Sequence, residues 1–242
     1  MHSTPHHKPQ TWGESVQSRR VHTITDRFSM VNTYLVNEKR LFVINPGTEE
    51  NIRLLFRYVQ HVLRRPIQDI DLIVLTHWNA DQRASATVLQ HFCHAPIAAS
   101  IGLQQMLAEQ RDHKSRSSHS PIPEKFMLRS LQHLQTDQPP FQISIWLHDV
   151  EGLPSHPDWR VIASPGHTPE SLCLYNPFSR ELLCSDTVMT IRRGNPVVRG
   201  SKNPVQVEET IRILRSLPVS YLYPGHGRAI LSHRPFKNLD SE

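Results

Sequence analysis

The chain reads as an α/β protein in which two β-sheets are sandwiched between outer helices. Three observations predict this. Alternating, β-branched segments occupy residues 21–44; helix and strand patterns take turns from 48 to 110; strands return between 142 and 184, followed by one helix and a last strand. A sheet with two apolar faces has to cover both, and stacking two sheets with helices outside each does so. The 242 residues suffice for one large domain with a sizeable core. We expect that domain over 21–232, with polar tails at 1–20 and 233–242.

Val21-His-Thr-Ile-Thr25 and Val31-Asn-Thr-Tyr-Leu-Val-Asn37 alternate in the manner of strands. Glu38-Lys39 makes a tight turn into Arg40-Leu-Phe-Val-Ile44, and Asn45-Pro46-Gly47 supplies turn residues after it. Thr48 suits a helix N-cap, with Glu49 and Glu50 at the positive end of the helix. Ile52, Leu55, Phe56, Val59, Val62 and Leu63 form one face, and Pro66 ends the helix. Ile70–Leu75 is a short apolar run, a buried strand rather than a membrane span. A helix over 83–92, a strand at Pro96–Ser100 and a helix near 101–110 follow. Residues 111–122 read as a polar, basic loop and 124–135 as helical. Strands are expected at Gln142–Leu147, Trp159–Ser164, Ser171–Tyr175 and Glu181–Cys184, then a helix at Val205–Ser216 and a strand at Ser220–Tyr223.

Net charge is +5 and the sequence pI about 9.3, with no long basic run. That suits a small-molecule substrate better than nucleic acid. Three cysteines without Cys-x-x-Cys spacing suggest reduced thiols and a cytoplasmic setting. The first ten residues lack an apolar core, so no signal peptide is expected, and no run reaches transmembrane length. Oligomeric state leaves no mark on the sequence. Histidine is the outlier, with 16 in the chain. His2, His6 and His7 sit in the tail, where they could pick up stray metal; His113, His119, His133 and His156 fall in surface-like segments. His77, His167 and His226 each follow a predicted strand in a turn-like context.

The first of these lies in Thr76-His77-Trp78-Asn79-Ala80-Asp81-Gln82, at the carboxyl end of a buried strand, where α/β sheets bind ligands. This run resembles the Thr-His-x-His-x-Asp-His motif of the metallo-β-lactamase superfamily, with Asn79 for the second histidine and Gln82 for the third. Ser164-Pro-Gly-His-Thr-Pro-Glu-Ser171, Leu182-Leu-Cys-Ser-Asp186 and Tyr223-Pro-Gly-His-Gly227 resemble three further family turns, as do Asn32-Thr-Tyr-Leu-Val and Val43-Ile-Asn-Pro-Gly47. Departures fall at Asn45, Asn79, Gln82 and Glu170. The resemblance covers roughly 21–230. It implies a four-layer αβ/βα sandwich of two mixed sheets flanked by helices.

The resemblance also implies a metal site. Related proteins hold two ions, one by three His and one by Asp plus two His, with a shared Asp; the ions acidify a water that attacks a carbonyl or phosphoryl centre. Carried over, the metal-ligand positions are His77, Asp81, His167, Asp186 and His226. A carboxamide is a poor zinc ligand, so Asn79 and Gln82 damage both half-sites. His77, His167 and Asp186 still make a catalytic zinc set with an open position, and the same set suits iron. One zinc ion is therefore expected rather than two, with Asp81 and His226 free to act as base and acid. A pocket without metal is also physically sound, since the histidines can pair with the carboxylates. Two readings follow: a mononuclear hydrolase of an ester or thioester, or an inactive member serving as a binding or scaffold module. The five surviving ligand-type positions favour the first.

Overall fold

A computed structural model describes residues 20–116, 141–190, 196–198, 203–232, 235–236 and 240–241. The helix expected at 124–135 lies outside the described residues, as do the second half of the basic loop, 117–122, and the first nineteen residues. No helix among those described is long and apolar enough to cross a membrane.

The first sheet runs β1 (Val21–Thr25), β2 (Asn32–Asn37), β3 (Leu41–Ile44), β4 (Ile70–Leu75), β5 (Ile97–Ser100) and β6 (Ile145–Leu147), in chain order. Its first three strands are antiparallel and β3 to β6 are parallel. Helices α1 (Glu49–Arg57), α2 (Ala80–Cys93) and α3 (Ile101–Arg116) make its connections. The second sheet contains β7 (Gly152–Leu153), β8 (His156–Ala163), β9 (Leu172–Asn176), β10 (Glu181–Ser185), β12 (Tyr221–Pro224) and β13 (Ile230–Leu231), ordered β13-β12-β10-β9-β8-β7. Between β10 and β12 lie a short strand β11 (Val197–Val198) and helix α4 (Pro204–Ser216).

Strand periodicity divides the side chains among three cores. On β3, Leu41 and Val43 face the helices while Phe42 and Ile44 face the second sheet. On β9, Leu172 and Leu174 meet the first sheet, whereas Cys173 and Tyr175 pack in the cluster that includes Val207, Ile211 and Leu214 of α4. Two mixed sheets with helices outside each produce the expected αβ/βα sandwich.

Four local differences have physical causes. The helix expected to run from 49 to Pro66 widens at Tyr58–Val62 into a π-turn, where Leu63 N–H donates to Tyr58 O at 3.0 Å. Helix α2 starts three residues early because Asn79 is its N-cap. Helix α3 continues through 116 into the stretch expected to be loop. The tail also differs: Phe236 is buried in the core under α4, and β14 (Asp240–Ser241) pairs with β11.

Strand β7, two residues long, is too short to read from sequence, and β8, expected from Trp159, begins three residues earlier, where the clearest error lies. His156, expected at the surface, is 2% exposed. It lies between Glu38 Oε2 and Asp71 Oδ1, each 2.8 Å away, and so ties the second sheet to the first at the end opposite His77.

Candidate metal centre

Strand ends from both sheets bring the site together. His77 follows β4, His167 lies in the turn between β8 and β9, Asp186 follows β10 and His226 follows β12. The Nε2 atoms of His77, His167 and His226 stand 3.6, 3.8 and 3.6 Å from one oxygen, Asp186 Oδ2. The His77 and His167 rings meet edge to face with centroids 5.2 Å apart. One nitrogen each from His77 and His167 and one oxygen of Asp186 lie mutually within 4.8 Å. His226 stands outside that group while sharing the same carboxylate.

Each turn is held by its own sequence. Asn32 Nδ2 donates to Pro224 O and Gly227 O, both at 2.9 Å, and so fixes the loop carrying His226. Gly225 is required there, because a Cβ would collide with Asp186 Oδ1. In the His167 turn, Thr168 N–H donates to Ser171 Oγ at 3.1 Å, and Thr210 of α4 donates to Pro165 O at 2.5 Å. Leu172 N–H donates to Thr76 O at 2.9 Å, joining the His167 turn to the end of β4.

Burial lowers the pKa of His77, against the pull of the Asp186 charge, so the ring stays neutral. Burial would raise Asp186, but His226 first and then the other two imidazoles outweigh it, and the carboxyl lies below its ordinary value. Neutral imidazole beside ionised carboxylate is the state a divalent ion requires. His77 Nε2 is buried and has no hydrogen-bond partner among the described residues, although a buried polar atom is normally paired. An orphaned nitrogen aimed at a carboxylate beside a second imidazole fits a metal ion.

The structure does not bring Asp81 into this group. It is exposed on the first turn of α2, where its N–H donates to Asn79 Oδ1 at 2.9 Å. The two replaced positions have structural work. Asn79 caps α2, and Gln82 Oε1, buried, accepts the Gly47 N–H at 2.8 Å. Glu170, where the family has Gly, is also buried and accepts the Trp78 N–H at 3.1 Å. Asn45 is the residue sequence reasoning undervalued. It bonds Thr76 and Ser185, the neighbours of His77 and Asp186. Its departure from the family pattern was the signal.

Comparison with known proteins bears on the family and the fold. The profile of the metallo-β-lactamase superfamily matches residues 26–226. The probable metallo-hydrolase MJ0888 of Methanocaldococcus jannaschii is 25% identical over 200 residues, which is 81% of this chain and 87% of that protein. Among solved structures, TTHA1623 in a di-iron-bound form has a TM-score of 0.61 at 21% identity, over 90% of this chain and 98% of that one. A Cronobacter sakazakii metallo-β-lactamase with an HARLDQ motif has a TM-score of 0.53 at 14% identity, over 86% and 75%. At these identities the structural likeness carries the fold alone.

Proposed function

The chain belongs to the metallo-β-lactamase superfamily, and on that premise we propose that it is a hydrolase of an ester or thioester of small-molecule size. In this reading one divalent ion is held by His77, His167 and Asp186. The observation that carries the proposal is the convergence of three imidazole nitrogens, one of them buried and unpaired, on a single Asp186 oxygen. Zinc suits two imidazoles and a carboxylate with an open position. Iron suits the set too, and TTHA1623 has been solved in a di-iron-bound form.

Positions 77–82 read His-Trp-Asn-Ala-Asp-Gln, and the Cronobacter motif reads His-Ala-Arg-Leu-Asp-Gln. Both lack histidine in the third and sixth places, and that protein is called a metallo-β-lactamase. The parallel supports chemistry retained on a reduced ligand set.

When bound, the ion supplies Lewis acidity and makes water a stronger acid at neutral pH. The chain supplies the rest. Burial keeps His77 neutral, and Asp186 stays ionised. His226, with a quarter of its side chain exposed and its Nε2 3.6 Å from Asp186 Oδ2, is proposed to protonate the leaving oxygen or sulfur. Asp81 is exposed and outside the group of mutually close ligand atoms, and we give it no role.

A second reading, a scaffold without catalysis, draws on Asn79 and Gln82 being spent on a helix cap and a loop. Elemental analysis of the full chain with His2, His6 and His7 changed to Ala separates the two. The hydrolase reading expects one zinc or iron per chain, together with ester or thioester hydrolysis that Asp186→Asn abolishes. A folded protein that retains no metal and cleaves neither substrate class favours the scaffold.

A further inference from the structure

We propose that Asn45 is a positioning residue that sets the tautomer of His77 and the turn presenting Asp186, through one carboxamide placed between the two sheets. This role rests on the metal reading above, but its central observable belongs to the metal-free chain.

Asn45 is 2% exposed, and its backbone lies in the left-handed region at φ +49°, which Asn tolerates better than most residues. Thr76 N–H points at its Oδ1 at 3.0 Å. A backbone N–H can only donate, so this contact fixes which end of the amide is oxygen. The other end, Nδ2, then donates to Thr76 Oγ1 at 2.8 Å and to Ser185 Oγ.

The Thr76 hydroxyl has one proton to give. Asn45 Oδ1 and His77 Nδ1 both lie 3.1 Å from Thr76 Oγ1, and in the proposed arrangement the proton goes to Asn45 Oδ1. Thr76 Oγ1 is then an acceptor toward His77 Nδ1. In that arrangement His77 carries its proton on Nδ1, which leaves the Nε2 lone pair facing Asp186 Oδ2 at 3.6 Å. A metal ligand needs that tautomer. Left to the Asp186 carboxylate alone, the ring would turn its proton the other way, onto Nε2.

The second arm acts on Asp186. Ser185 lies at φ +44°, a strained angle for serine, and Asn45 Nδ2 holds its hydroxyl there. Ser185 O also accepts the Gly225 N–H at 2.6 Å, which clamps the Asp186 turn to the His226 loop. One amide thus sets the approach of a ligand from each sheet. Aspartate at this position could not donate to both hydroxyls. It would also bury a negative charge, which a second cation would offset; the neutral amide matches a one-ion site.

The test is long-range ¹H–¹⁵N imidazole NMR on the metal-free full chain, followed by titration with Co(II) alone. Asn45→Gly removes the amide without straining the left-handed backbone, Thr76→Val removes the hydroxyl, and Thr76→Ser restores it. We expect Nδ1–H on His77 in the wild type and in Thr76→Ser. Both other variants should shift toward Nε2–H, with Co(II) affinity falling about 10–100-fold. A wild type with Nε2–H, or an Nδ1–H form unchanged in folded Asn45→Gly and Thr76→Val, overturns the inference. If the wild type binds no Co(II) but shows the expected tautomers, the metal reading fails and the positioning role stands.

Discussion

Removing the ring of His156 should cost more stability than any single change at the metal centre, and should alter how stability depends on pH. The ring is 2% exposed and bonds Glu38 Oε2 and Asp71 Oδ1 at 2.8 Å each. Arg20 faces Glu38 at 3.4 Å and Arg40 faces Asp71 at 3.8 Å, while Phe42 packs against the ring with centroids 4.4 Å apart. A hydrogen bond to a charged group contributes about 1.5–3 kcal/mol, so two contribute about 3–6. The two arginines relieve part of the repulsion left behind, which places His156→Gln near a loss of ~3 kcal/mol and roughly 10 °C in melting temperature. Burial pulls the His156 pKa down, but the two carboxylates outweigh it and raise it above the ordinary value. A raised folded pKa means the contribution is full below the unfolded value of about 6.5 and is lost as pH rises through the folded value. Burial would raise Glu38, but the bonds from His156 and Trp159 hold it below its ordinary value, so its contribution is lost only as pH falls through that lowered value. Urea unfolding of wild type and His156→Gln between about pH 5.5 and 9 brackets the histidine window and stays above the carboxylate one. The wild type should lose stability toward the alkaline end and the variant should not. Parallel curves, or a loss under about 1 kcal/mol, would refute the reasoning.

Three further outcomes concern the centre. His77→Ala and His167→Ala should abolish tight zinc binding, and His226→Ala should weaken it less, because His226 lies outside the group of mutually close ligand atoms; equilibrium dialysis ranks the three. Gly225→Ala should displace Asp186, whose Oδ1 the new Cβ would strike, and metal affinity should fall while circular dichroism still reports a folded chain. Asn79→His combined with Gln82→His should raise zinc stoichiometry toward two, at a loss of about 2–4 kcal/mol from the lost α2 cap and the unpaired Gly47 N–H; stoichiometry of one or none in a folded variant removes the assignment of these positions to ligand sites.

The sequence by itself determined the sandwich and the four strand ends that supply His77, His167, Asp186 and His226. Both follow from local pattern: alternation and helical spacing mark the layers, and turns such as Pro-Gly-His announce themselves in a few residues. Only the tertiary structure decided how those residues are used. Asp81 looks like a ligand in its motif, yet Asn79 starts α2 early and leaves Asp81 on an exposed turn. Asn45, Thr76 and Ser185 lie up to 140 residues apart and share one hydrogen-bond network. His156 looks like surface until the β7–β8 hairpin carries it over the first sheet to Glu38 and Asp71, 118 and 85 residues away. Hydrogen bonds between distant residues depend on where the chain returns, and the sequence around each partner carries no periodicity that records the meeting.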